Sequence, residues 1–249
     1  MIADSSSWLC PGLLVTGTDT GVGKTFVSAI IAREVSNVAR VGVFKPACSG
    51  AETRADGDIE WPDLETLRRS VTYSPTLDDI CPYRLRVPLA PPVAARHEGV
   101  TIDYEVILAA LRRQREQLEF VVVEGVGGWL CPLTEQHTIA DFAESIALPV
   151  VVVARLGLGT INHTLLTIES IQRRGLPVMG VVLNDAQAEA GSLAAQSNVT
   201  ELAHWTTAAF ELPVPVLGVV SHGGESVCLS GSTQPARIDW RQLAQPLPR

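Results

Sequence analysis

The stretch Gly17-Thr18-Asp19-Thr20-Gly21-Val22-Gly23-Lys24-Thr25 constrains this chain more than any other. The apolar run Leu13-Leu14-Val15 precedes it and reads as a buried strand. Phe26-Val27-Ser28-Ala29-Ile30-Ile31-Ala32 follows and reads as a helix with one apolar face. Strand, glycine loop, Lys-Thr and helix, in that order, form the layout of a phosphate-binding P-loop. Glycines let backbone N–H groups turn inward on phosphate oxygens where side chains would collide. The helix start adds unpaired N–H donors and a positive dipole end. Lys24 reaches the outer phosphates, and the Thr25 hydroxyl suits Mg2+. Thr20, Gly21, Val22, Gly23, Lys24, Thr25 and Phe26 are therefore the candidate nucleotide contacts. Five residues separate Gly17 from Gly23, against the four of the general motif.

Strand-like and helix-like segments alternate along the rest of the chain. Val41–Phe44, Phe120–Val123, Pro149–Ala154, Val178–Leu183 and Val216–Val220 read as strands. Asp63–Arg69, Asp103–Leu118, Thr138–Ala147, Ile161–Arg174 and Val199–Phe210 read as helices. In Asp103–Leu118 the apolar face carries Ile107, Leu111 and Leu118, with Arg112, Arg113, Arg115 and Glu116 largely elsewhere. Ser49–Pro62 reads as loop, and Ser74–Pro92, with five prolines, as irregular backbone over the domain body. The Ser-rich residues 1–11 read as a flexible leader, 12–222 as a single domain, and 223–249 as a tail without clear pattern. The alternation predicts an α/β fold with a mostly parallel sheet between two layers of helices. Ligands of such sheets gather outside the carboxyl ends of the strands. Residues 17–25, 45–50, 124–128, 155–162 and 184–185 are therefore expected to converge.

Several of these strand ends carry chemistry. Lys45 ends the second strand and is either a solvated lysine or a charge aimed at negative charge growing in a transition state. Ser49-Gly50 beyond it offers a hydroxyl and a close backbone approach. Glu124 ends Phe120–Val123, where P-loop enzymes place a carboxylate for Mg2+. Gly125-Val126-Gly127-Gly128 then lets backbone approach a ligand. Asp56, Asp58 and Asp63 compete for a further metal-ligand role. Gly157-Leu158-Gly159-Thr160 opens a helix whose free N–H groups would take an anion, unless Thr160 simply caps it. Asn184-Asp185 forms a turn or reads the edge of adenine.

Composition narrows the partners. A net charge of −8 argues against a general nucleic-acid or membrane-surface binder. Five scattered cysteines without a Cys-x-x-Cys pair fit a reduced, cytoplasmic setting. The start lacks the basic and apolar regions of a signal peptide.

Taken together, the P-loop stretch, Lys45-Pro46-Ala47-Cys48-Ser49-Gly50, Val123-Glu124-Gly125-Val126-Gly127-Gly128-Trp129, Gly157-Leu158-Gly159-Thr160-Ile161-Asn162-His163 and Asn184-Asp185 resemble the dethiobiotin synthetase family. That family shows the same widened loop spacing, and the likeness runs from about Leu13 to Val220. The resemblance implies a P-loop NTPase-like fold of about seven strands and a homodimer. It implies 7,8-diaminononanoate, CO2 and MgATP as substrates. Thr25, Asp63 and Glu124 would hold Mg2+, Lys45 and Lys24 would be catalytic, and Ser49 would touch the diamine. Asn184 and Asp185 would bind the base side of ATP, with Gly125 and Gly127 near the nucleotide. Gly159, Thr160, Ile161 and Asn162 of the opposite subunit would take the substrate carboxylate. Gly21 stands where many members carry Glu, and Val220-Ser221-His222 where relatives often have Ile-Pro. A ParA/MinD-like ATPase switch is the alternative, but it places a second lysine where this chain has Asp19. An amidoligase of the cobyrinate type shares the core and usually adds a glutamine-hydrolysing domain.

Overall fold

The computed structural model describes residues 10–188, 190–229 and 232–245. Of the leader expected at 1–11, only Cys10 and Pro11 are among them; the rest lies outside the described residues.

β1 (Gly12–Gly17) runs into the glycine loop and α1 (Lys24–Ser36). β2 (Val41–Phe44), β3 (Ala47–Ser49), β4 (Glu52–Thr53) and β5 (Ile59–Glu60) follow, then α2 (Pro62–Arg69) and α3 (Leu77–Ile80). Next come β6 (Tyr83–Leu85), α4 (Pro91–Glu98), α5 (Tyr104–Arg115) and β7 (Phe120–Glu124). The remainder alternates: α6 (Ile139–Ile146), β8 (Val150–Arg155), α7 (Thr160–Arg173), β9 (Val178–Asn184), α8 (Leu193–Ala208), β10 (Val216–Val220) and α9 (Trp240–Leu243).

Six parallel strands form the main sheet in the order β10-β9-β8-β1-β7-β2. Successive side chains of a strand point to opposite faces. Accordingly Leu13 and Val15 join a core with Ile30, Ile31 and Leu64 on one side. Leu14 joins Phe44, Ile107 and Phe142 on the other. Both faces are covered, which is why the strands read as unbroken apolar runs.

Among the described residues the main sheet holds six strands, against the about seven expected. Pro46, which has no N–H to donate, follows β2, and the chain leaves the sheet there. β3 then pairs in parallel with β6 in a separate ribbon, Ala47 opposite Tyr83 and Ser49 opposite Leu85. The segment 74–92 is thus more ordered than its prolines suggest. Pro91 and Pro92 sit at the first positions of α4, where a missing N–H costs nothing. Within the expected loop 49–62, β4 and β5 form a short antiparallel pair. α8 begins at Leu193, well before Val199, because the Ser192 hydroxyl accepts from the Ala195 N–H at 3.1 Å. Arg115, placed off the apolar face of its helix, is nonetheless buried; its Nε donates to the Cys10 carbonyl at 3.1 Å.

The tail also returns to the body. Val219 and Cys228 exchange backbone hydrogen bonds of 2.9 and 2.8 Å. Trp240 is 2% exposed, and its Nε1 donates to Glu34 Oε2 at 2.6 Å near the far end of α1. Among the described residues no helix is long and apolar enough to cross a membrane. Trp240→Ala should lower the unfolding free energy by about 3–5 kcal/mol, as for other buried aromatics, in urea denaturation. A loss below about 1 kcal/mol would mean that the tail contributes little to the packed body.

Candidate active site

The glycine loop is built to bring backbone close to whatever fills it. Gly21 and Gly23 adopt φ of 75° and 91°, in the left-handed region that favours glycine. Gly23 sits immediately before α1, and a Cβ there would lie 1.9 Å from Asn184 Nδ2. That amide is fixed by donating to the Val22 carbonyl at 3.0 Å. Lys24 Nζ folds back onto the Asp19 carbonyl at 3.0 Å.

Four more groups meet beside the loop. Glu124 ends β7 with 0% exposure, and Lys45, just after the neighbouring β2, is 4% exposed. Lys45 Nζ donates to Glu124 Oε1 at 2.7 Å and also to Asp63 Oδ2. Thr25 Oγ1 donates to the same Glu124 Oε1 at 2.8 Å. Glu124 Oε2 is buried and has no hydrogen-bond partner. Asp63 arrives from the first turn of α2 with its side chain about half exposed. Asp56 and Asp58 instead lie exposed in the preceding turn, where the Asp58 N–H bonds Asp56 Oδ1 at 3.1 Å.

These surroundings set the charges. Burial opposes the Lys45 ammonium, but Glu124 and then Asp63 outweigh it and hold its pKa well above the lysine range. Lys24 is pushed down, chiefly by burial, with Lys45 adding to the effect and Glu124 opposing it. Burial works against the Asp63 carboxylate, yet Lys45 prevails and holds it below the usual range. Burial drives the Cys48 thiol up to about 12, so it stays protonated at neutral pH.

A cleft of 370 Å³ opens over this cluster. Thr20, Gly21, Gly23, Lys24, Thr25, Phe26, Lys45, Ser49, Asp63, Glu124 and Gly127 all line it. Val126 of the 124–128 segment lines it too, as do Pro62 and Thr66, which the sequence did not single out. Thr66 stands three residues after Asp63 on α2, so a search of that helix face would have found it. Gly125 is set back: its N–H bonds the Val15 carbonyl at 2.9 Å. Val22, Asn184 and Asp185 face a smaller adjoining pocket with Arg155 and Gly157. Asp185 is held there by its N–H on the Val220 carbonyl at 2.9 Å. Gly159, Thr160, Ile161 and Asn162 line neither cavity of this chain. Gly159 caps α7 at φ 88°, and Thr160 is buried beneath it.

The donors suit a hard cation. Thr25 offers a hydroxyl, Asp63 a carboxylate, and Glu124 an oxygen with no other partner. Among the described residues no group of three or more His, Cys, Asp or Glu is placed to hold an ion. A hydroxyl and two carboxylates, all oxygen donors, fit Mg2+, which keeps several waters and takes phosphate oxygens.

Two outcomes follow from this geometry. Gly23→Ala should weaken ADP binding at least about tenfold by calorimetry, because backbone strain and the Asn184 clash add of order 1–3 kcal/mol. Wild-type affinity in that variant would contradict the tight loop. The lowered Asp63 pKa gives a stabilising contribution that is present above the ordinary carboxylate value and lost as pH falls through the lowered one. The stability difference between wild type and Asp63→Asn should thus stay flat down to about pH 4 and shrink only below it. A difference that fades already near pH 6, on urea titration, would contradict the pairing with Lys45.

A protein-family profile described as an AAA domain matches residues 11–226. The ATP-dependent dethiobiotin synthetase BioD of Anaeromyxobacter dehalogenans (strain 2CP-C) is 48% identical over 175 residues, covering 70% of this chain and 76% of that protein. Its counterpart from Aromatoleum aromaticum (strain DSM 19018 / LMG 30748 / EbN1) is 39% identical over 211 residues, covering 84% and 89%. Among solved structures, the cell division ATPase MinD of Pyrococcus furiosus superposes with a TM-score of 0.44 at 15% identity, over 85% of this chain and 83% of that one. A likeness that distant says nothing about chemistry. The two curated relatives do, and the chain belongs to the dethiobiotin synthetase family of ATP-dependent ligases.

Proposed function

We propose that this chain joins 7,8-diaminononanoate and CO2 into dethiobiotin at the expense of ATP, releasing ADP and phosphate. The observation that carries the reading is the meeting of Lys24, Thr25, Lys45, Asp63 and Glu124 around one cleft beside the glycine loop.

The chemistry follows from charge. CO2 adds to one amine and leaves a carbamate. A carbamate oxygen attacks the γ-phosphorus, and the bond to ADP breaks. The second amine attacks the carbonyl carbon of the resulting mixed anhydride, the ring closes, and phosphate departs. Carbamate and ATP are both anions, so the protein must align them and offset their repulsion. Lys24 and the loop amides bind the outer phosphates. Lys45 faces the transferring group from the other wall of the cleft and balances the charge that develops there. Ser49 contacts the diamine. Asn184 and Asp185 hold the base side of the nucleotide, with one Asn184 N–H already engaged by Val22. Thr25, Asp63 and Glu124 would hold Mg2+, which would supply Lewis-acid polarisation of phosphate oxygens there.

A second copy of the chain completes the site. Leu158 is 82% and Leu166 56% exposed on either side of Asn162, an apolar border fit to be covered. Residues 159–162 of that copy then offer helix-start N–H groups to the substrate carboxylate.

Supplied with the diamine, bicarbonate and MgATP, the protein should yield dethiobiotin by mass spectrometry; absence of product with intact diamine would reject the reading. Lys45→Gln should lose turnover by about 100-fold or more while ADP still binds, as for loss of one charge-stabilising donor. Unchanged turnover would remove Lys45 from the chemistry.

A further inference from the structure

The ammonium of Lys45 rests on the very oxygens that a metal at this site needs. Glu124 Oε1 accepts from Lys45 at 2.7 Å and from Thr25 at 2.8 Å, and Asp63 Oδ2 accepts from the same ammonium. The second Glu124 oxygen is buried without a partner. Lys24 is buried nearby. Two carboxylates and two ammoniums thus form a cluster of zero net charge, in which Glu124, Lys45 and Lys24 are buried and Asp63 borders the cleft. A divalent ion entering alone would leave two uncompensated positive charges among buried groups, which is strongly unfavourable. A nucleotide polyphosphate arriving with the ion would more than balance them.

We propose that Lys45 is a tethered counter-ion: it occupies the metal's carboxylates in the nucleotide-free protein, excludes a lone divalent cation, and is released when metal and nucleotide enter together. Its flexible four-carbon stem lets the ammonium swing while the backbone stays put, held by the Lys45 N–H on the Ile80 carbonyl at 2.8 Å. Loading the metal and turning the lysine toward the reacting anions are then one event. The inference rests on the reading that Thr25, Asp63 and Glu124 hold the metal.

Mn2+, followed by its free-ion paramagnetic resonance signal, probes the site directly without turnover. Wild type, Lys45→Gln, Lys45→Arg and Glu124→Gln are titrated with and without ADP. Lys45→Gln should bind Mn2+ at least about tenfold more tightly than wild type in the absence of ADP, since one repelling charge is gone. Lys45→Arg, which keeps the charge, should stay within about threefold of wild type. Lys45→Met, which keeps the stem without the charge, serves the same comparison if the glutamine variant folds poorly by circular dichroism. Equal Mn2+ affinity in wild type and the uncharged variants, with Glu124→Gln still weakening Mn2+ binding beside ADP, would overturn the counter-ion and leave the metal ligands standing. Wild-type Mn2+ binding in Glu124→Gln beside ADP would overturn the ligand assignment, and the counter-ion with it.

Discussion

A carboxylate with no solvent exposure, at the end of an inner strand, is the constraint that the rest of the structure serves. Burying a lone ionised Glu124 would cost several kcal/mol, so a counter-charge has to sit beside it. β7 lies between β1 and β2, with Val15 opposite Glu124 and Phe44 opposite Val123. Lys45 is the residue after Phe44 and Thr25 follows the loop that leaves β1. Both reach Glu124 because the sheet is parallel and its neighbours end at the same edge. Such a pair is weak support for stability, since an apolar replacement often does as well. Its value lies in presenting Lys45 and Glu124, both buried, at the floor of the cleft, where burial reduces the screening of each charge.

The same sheet order separates two tasks. β1, β7 and β2 deliver the groups of the charged cleft. β8 and β9 lie on the other side of β1 and deliver Arg155 and Asn184 to the smaller pocket. The glycine loop runs between the two, and Asn184 clamps it from the β9 side through the Val22 carbonyl. Gly23 is the contact point: any side chain there would collide with that clamp. The loop shape is thus a joint product of backbone freedom at glycine and a side chain far away in the chain.

Much of the fold was readable because its signals are local. The buried strands announce themselves as unbroken apolar runs, since helices cover both faces of the sheet. Other parts were hidden because local rules pointed the wrong way. The prolines of 74–92 read as breakers, yet Pro91 and Pro92 start α4 and Tyr83–Leu85 pair with β3. Arg115 read as lying off the apolar face of its helix, yet it is buried and reaches the Cys10 carbonyl. Three aspartates in one loop looked alike; only the docking of α2 brings Asp63 onto Lys45 and leaves Asp56 and Asp58 in the exposed turn. Asn184 was open between turn and base reader, and the structure adds a third task, bracing the loop.

By itself the sequence determined the alternation of strands and helices, the glycine loop with its Lys-Thr, and the strand ends where chemistry would gather. Those follow from periodicity and backbone preference, which neighbouring residues carry. Only the tertiary structure decided which acid meets which lysine, that one Glu124 oxygen serves two donors while the other has none, and that the tail packs on α1. Lys45 and Glu124 stand 79 residues apart and Thr25 and Glu124 99, and charges so distant along a chain are paired by the sheet that brings them together.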